Sequence, residues 1–237
     1  MVTSSEQPGI DHSHPDVSGG WLRAAVFGAM DGLVTNISLI AGIAAAGAPP
    51  HTVVITGVAG LVAGSFSMAL GEYASVKTQN EQLESELAIE REAHARNPEA
   101  EEHELAVSFM EMGMSPRTAR SAAREIHDNH ELAPRLHITH ELGLDPSSKP
   151  SPWIAAVSSF AMFAIGAFIP LIPYALGFNV LWAGLAVGGV GLIVAGGLTA
   201  YYTRRAWWKG ASRQLLFGAI AVTATYLVGM LFGVGVR

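Results

Sequence analysis

The chain has 237 residues, half of them hydrophobic and only 14% charged, well below the roughly 25% charge of soluble domains, so it reads as a membrane protein. Its net charge of −6 presents no basic stripe to phosphates, which argues against a nucleic-acid partner. The absence of cysteine excludes disulfides, thiolate metal sites and cysteine nucleophiles together.

In chain order, residues 1–20 form a polar leader in which His12 and His14 are read as disordered rather than liganding. Five apolar segments follow, at 22–46, 53–70, 153–176, 180–202 and 215–236, on the scale of the about 20 residues that a spanning helix needs. Ala44-Ala45-Ala46 mimics a cleavage site after the first segment. The polar leader, the central Asp31 and an apolar core longer than the about 7–15 residues of a signal peptide make it a retained helix instead. The connections 47–52 and 177–179 carry no charge, whereas 203–213 carries Arg204, Arg205, Lys209 and Arg213, and Arg23 stands at the start of the first span. The positive-inside rule therefore puts the N-terminus, the long middle segment and the basic loop in the cytoplasm and the C-terminus outside. Trp153, Trp207 and Trp208 are expected as interfacial anchors.

Residues 77–149 have a different chemistry, with 15 of the 20 acidic residues and six of the nine histidines. A helix is expected to run on from the second span through about residue 95, because 79–96 lacks Gly and Pro and is rich in Glu, Leu and Ala. Asn97-Pro98 predicts the N-cap and first residue of a second helix ending at Gly113, and Ser115-Pro116 repeats the signal for a third. Pro134 is expected to interrupt again, before a short helix that ends at Gly143 and a Pro/Ser-rich link over 145–152. This unit has few large apolar residues and is expected to lean on a partner or ligand. The fold class is an all-α membrane protein: five transmembrane helices, two in 21–76 and three in 150–237, with a helical cytoplasmic domain inserted between helices two and three.

An ionised carboxylate in mid-span costs at least about 2.5 kcal/mol on insertion scales, so Asp31 is expected to face a protein interior and to bind or relay something; the bland alternative is an Asp satisfied by neighbouring hydroxyls. If the second span and its extension are one helix, Ser65, Met68, Glu72, Ser75, Gln79, Gln82, Glu86 and Glu90 share a face. That stripe is a polar track of about 33 Å from Met68 to Glu90. A carboxylate and a thioether without thiolate suit a borderline divalent metal such as Fe²⁺ better than Mg²⁺ or Ca²⁺, without choosing among Fe, Mn, Co and Zn. In the middle domain Glu101 and Glu104 lie one turn apart, with Glu90, His94, His103, His137, His140 and Glu141 as further ligands; the competing reading is a solvated acidic face. Glycines four apart at Gly28/Gly32, Gly60/Gly64, Gly184/Gly188 and Gly229/Gly233 are read as helix contacts. Pro170 and Pro173 are expected to free backbone carbonyls near the outer end of the third span.

Asp31-Gly32-Leu33-Val34-Thr35, Ser67-Met68-Ala69-Leu70-Gly71-Glu72-Tyr73 and Pro170-Leu171-Ile172-Pro173-Tyr174, in that order around an acidic helical domain, resemble the vacuolar iron transporter family in a bacterial-type form. The resemblance covers the chain from about Trp21 onward. It implies a homodimer of five-helix subunits in a bacterial-type cytoplasmic membrane, moving Fe²⁺, with Mn²⁺, Co²⁺ or Zn²⁺ as other candidate cargo, out of the cytoplasm in exchange for protons. It implies no resident cofactor and no catalytic residue. Both copies of Asp31 and Met68 would line a central pathway, and Glu90, Glu101, Glu104 and Glu141 fall on the family's glutamate positions in the cytoplasmic domain. Glu72, where plant members tend to have Gly, departs from the pattern and is expected to compensate for membrane acids that the chain lacks. The chain departs from the family pattern at Ala93, a glutamate position, and at His137-Ile138, a Met-Met pair in plant members. Ala24 and Gly60 stand at membrane acid positions, and Phe163 at that of a pathway tyrosine. Rival readings are a ferroxidase-like membrane enzyme and a membrane-anchored metal sensor.

Overall fold

The computed structural model describes residues 20–141, 143 and 149–234, with the side chains of Glu141 and Val234 left aside. The leader histidines His12 and His14 and the first half of the 145–152 link lie outside the described residues. Every regular element among these residues is helical: α1 (Trp21–Ala45), α2 (Pro50–Arg96), α3 (Pro98–Glu111), α4 (Pro116–His127), α5 (Leu132–Glu141), α6 (Pro152–Phe168), a 3₁₀ turn (Ile169–Leu171), α7 (Ile172–Ala175), α8 (Leu181–Tyr202) and α9 (Trp207–Val234). Five stretches are long and apolar enough to cross a membrane: α1, α2 in its first part, α6 through α7, α8, and α9.

The bundle is built around α1, which packs against α2, α6, α8 and α9. Lipid offers no hydrophobic drive for helix association, so close backbone contact has to supply the packing. Gly32 and Gly166 show how close it is: a Cβ on Gly32 would stand 2.3 Å from the Phe163 carbonyl oxygen, and one on Gly166 2.2 Å from that of Ala29. The other expected glycine pairs are also contacts, Gly60 and Gly64 meeting Leu39 and Phe163, Gly184 and Gly188 meeting Tyr174 and Ile37, and Gly229 and Gly233 meeting Gly42 and Ala46.

The two prolines of the third span do break the α-helix, as 3₁₀ geometry over Ile169–Leu171. Pro170 brings no N–H to that turn. Asn36, fully buried on α1, donates from Nδ2 to the Ala167 carbonyl at 2.5 Å. A side chain 131 residues away thus caps a carbonyl at the break.

Helix α2 is continuous for 47 residues, about 70 Å at 1.5 Å per residue, more than twice the about 30 Å of a hydrocarbon core. Its charged second half carries α3, α4 and α5, with α3 and α5 against α2 and α4 against both of its neighbours. The core of this unit is small, with Leu105, Ala106 and Phe109 of α3 over Ala119 and Ala123 of α4. The return to α6 is tied to α2 by Lys149, which donates to Glu84 at 2.7 Å, and by Asn80, which donates to the Pro150 carbonyl at 3.0 Å.

Of the local expectations, two are corrected and the helix caps are refined. Asn97 is the N-cap residue of α3 with Pro98 in its first turn, as expected, but it caps through the backbone. Its carbonyl accepts from the Ala100 and Glu101 N–H groups, its side chain makes no cap bond, and its own N–H closes α2 on the Ala93 carbonyl, so one residue ends one helix and starts the next. Ser115, in contrast, accepts from the Thr118 N–H at 3.3 Å and caps α4 as predicted. Pro134 does not interrupt: it sits in the first turn of α5, where N–H groups have no intrahelical partner to lose. Finally, α9 begins at Trp207, so most of the expected basic loop is helix, because α-helical hydrogen bonding outlasts the apolar run.

Candidate metal sites

The charged half of α2 and the helices it carries bring four ligand-bearing side chains to one place. Glu90 and His94 lie one turn apart on α2, Glu101 comes from the first turn of α3 and His137 from α5, with their donor atoms all within 4.8 Å of one another. Glu101 Oε2 is 4.0 Å from His94 Nε2 and 3.8 Å from His137 Nδ1. A bound transition ion with ligand bonds of about 2.0–2.2 Å would need only small side-chain movements to draw this set in. Two carboxylates and two imidazoles, with no sulfur in the group, suit a borderline divalent cation.

The electrostatics prepare this set for a cation. Burial, and then the positive charge that His137, His127 and His130 would add, push the His94 imidazole down to about 4. His94 is therefore neutral at pH 7 and offers a lone pair. Its ring meets His137 edge-on at 4.7 Å and stacks on His127 at 5.0 Å. A histidine held below its ordinary 6.5 stabilises the fold fully above that value, and the stability is lost as pH falls from about 6.5 toward 4, because the unfolded chain takes the proton first. Metal-free protein should therefore show a melting temperature that falls over this window. The fall should be shallower in His94→Gln, and differential scanning fluorimetry with identical slopes for both proteins would refute the assignment to His94.

Among the other predicted ligands, Glu104 is exposed and stands outside the group. On α3, Glu101 is half-buried one turn before Leu105, which packs with Ala119 and Ala123 of α4, whereas Glu104 is exposed. Glu141 closes α5, and its side chain lies outside the described residues. His103 is exposed, and His140 approaches Met112 Sδ at 3.0 Å through Nε2. His94, only one of several histidines in the sequence, gains its place through contacts between helices.

Within the apolar bundle, Asp31 is half-buried and accepts from the Thr35 hydroxyl one turn later at 3.3 Å. Met68 is also half-buried, and Ser65 spends its hydroxyl on the Leu61 carbonyl at 2.7 Å. Glu72 is buried and takes Arg23 of α1 as its ion-pair partner at 3.3 Å, a pairing that spacing alone could not reveal. The stripe from Ser65 to Glu90 does lie on one unbroken helix, although Ser75, Gln79 and Gln82 along it are exposed.

A family model described as the VIT family matches residues 22–230. A vacuolar iron transporter of Acanthamoeba castellanii is 36% identical, over 94% of this chain and 84% of its own. Vacuolar iron transporter 1 of Oryza sativa subsp. japonica is 28% identical over 91% of this chain and 88% of its own. Vacuolar iron transporter 1 of Arabidopsis thaliana is 28% identical over 95% and 92%. The helices long enough to span a membrane, the acidic unit on an overlong second helix and the match over almost the whole chain together make this a member of the VIT family of metal ion transporters.

Proposed function

We propose that the chain is a homodimeric exchanger that carries Fe²⁺, or Mn²⁺, out of the cytoplasm against protons. In this reading the helical unit on α2 is cytoplasmic and captures the ion at Glu90, His94, Glu101 and His137. The pathway runs past Glu72 and Met68 to Asp31. The observation that carries the reading is the continuity of α2, which joins the metal-ligating cluster to the membrane stripe in one rigid element about 33 Å long between Met68 and Glu90. The relatives named as iron transporters support the choice of cargo.

A proton and a metal ion are alternative occupants of one carboxylate, and that competition is what an exchanger requires at Asp31. Dimerisation is supported by the same residue. Asp31 and Met68 are only half-covered, Thr35 beside them is exposed, and α2 exposes Ile55, Val58, Val62, Phe66 and Leu70. A monomer would turn a carboxylate toward hydrocarbon, whereas a second copy related by a two-fold axis would enclose it. The basic corner with Arg204, Arg205, Lys209 and Arg213 supports a cytoplasmic N-terminus and an outside C-terminus in a bacterial-type cytoplasmic membrane.

The deciding experiment is Fe²⁺ movement in sealed, anaerobic proteoliposomes under an imposed pH gradient. Flux that follows the gradient and reverses with it is expected. Oxidation of Fe²⁺ without flux would point to an enzyme instead.

A further inference from the structure

Glu72 and Arg23 form an asymmetric pair at the border between the bundle and the charged unit. The carboxylate side chain is 10% exposed, the guanidinium side chain 70%. Glu72 lies one turn before Val76, which packs with Ala24 and Ala155 of α1 and α6. A carboxylate withdrawn from water in this way needs a positive partner, and among the described residues Arg23 is the cation within ion-pair reach.

The bond itself is loose. A single nitrogen, Nη2, spans both oxygens at 3.4 and 3.3 Å, where a paired fork of two N–H groups would be shorter and directional. The buried anion is therefore fixed while its partner, mostly in water, can leave at little desolvation cost. Position completes the case. Met68 is one turn from Glu72 on α2, about 6 Å along the axis, and Asp31 is about 12 Å from Arg23 along α1. Because α1 and α2 run antiparallel through the Arg23–Glu72 contact, both Met68 and Asp31 lie on the same side of the pair, deeper in the bundle.

We propose that Arg23 is a tethered counter-cation that closes the path at Glu72, and that a divalent cation moving from the helical unit toward Asp31 takes the Glu72 carboxylate by displacing the guanidinium into water. The exchange raises the charge at Glu72 by one, since a singly charged guanidinium returns to solvent as a doubly charged ion replaces it. The tether makes Arg23 a competitor present at constant local concentration. It sets the ion concentration at which the path loads, and it repels ions that the Glu72 site cannot hold tightly. The inference rests on the transport reading above.

The test uses full-length protein in proteoliposomes, with Mn²⁺ presented to the face that bears the helical unit. Arg23→Gln should lower KM by about threefold or more with kcat undiminished, while Arg23→Lys, which keeps the charge, should stay near wild type. In a Glu72→Gln background, Arg23→Gln should change KM by less than about twofold, because the competitor has lost its site. An unchanged KM in Arg23→Gln, or an equal shift with and without Glu72, overturns the proposal. So does an Arg23→Gln protein that fails to fold while Arg23→Gln/Glu72→Gln folds and transports with wild-type KM, which identifies a structural staple between α1 and α2. Asp31→Asn run alongside separates the two levels: its inactivity leaves the path in place and the Arg23 arms decisive, whereas wild-type flux through it sinks the path itself.

Discussion

Asp31→Asn should fold, dimerise and bind metal at the helical unit, and yet carry Fe²⁺ at least about a hundredfold more slowly than wild type, a loss of about 2.7 kcal/mol in transition-state terms. Asparagine keeps the size of the side chain and its bond to Thr35 but cannot exchange a proton for a cation, so the step that couples the two gradients disappears. Met68→Leu removes a thioether at constant volume and should lose less activity, while selectivity shifts toward harder ions. Initial rates in proteoliposomes with and without a pH gradient decide the matter. Near-normal, still pH-coupled flux through Asp31→Asn would falsify the mechanism and leave Asp31 a half-buried acid satisfied by a hydroxyl.

The second large effect belongs to the cluster on the helical unit. Replacing Glu101 and His137 together by alanine removes one carboxylate and one imidazole from a group whose donor atoms lie within 4.8 Å of one another. Metal affinity of the full chain should weaken at least about tenfold, about 1.4 kcal/mol. Glu104→Ala, on the exposed side of α3, should bind as wild type does. Co²⁺ titration makes the difference visible in ligand-field absorption as well as in affinity, since loss of an imidazole changes the spectrum. A double variant with wild-type affinity and an unchanged Co²⁺ spectrum would place the capture site elsewhere.

Much of this molecule is legible in its sequence for a simple reason. In hydrocarbon each backbone polar group must be satisfied within its own segment, so an apolar run of about twenty residues has one solution, a helix. The bounds of α1 and α8 accordingly match the apolar segments within one or two residues. The extension of α2 is equally local, because a run free of Gly and Pro and rich in Glu, Leu and Ala has no reason to stop. Prolines are less legible. The break at Pro170 was visible, but Pro134 fell in a first turn where proline costs nothing, and a single sequence does not say which turn of a helix a proline will occupy.

The candidate sites divide along the same line. That Glu90, Glu101 and His137 could ligate a metal follows from their side chains, and that Asp31 is costly unless used follows from its apolar surroundings. Which of two acids one turn apart faces inward is a matter of azimuth around α3, and only packing on α2 and α5 turned Glu101 toward His94 and His137 and left Glu104 in water. The pairing of Arg23 with Glu72 and the capping of Ala167 by Asn36 join residues 49 and 131 positions apart. Local periodicity carries no information at such separations. Those contacts exist because glycines let α1 approach its neighbours to backbone distance, and the chemistry of the bundle was decided there.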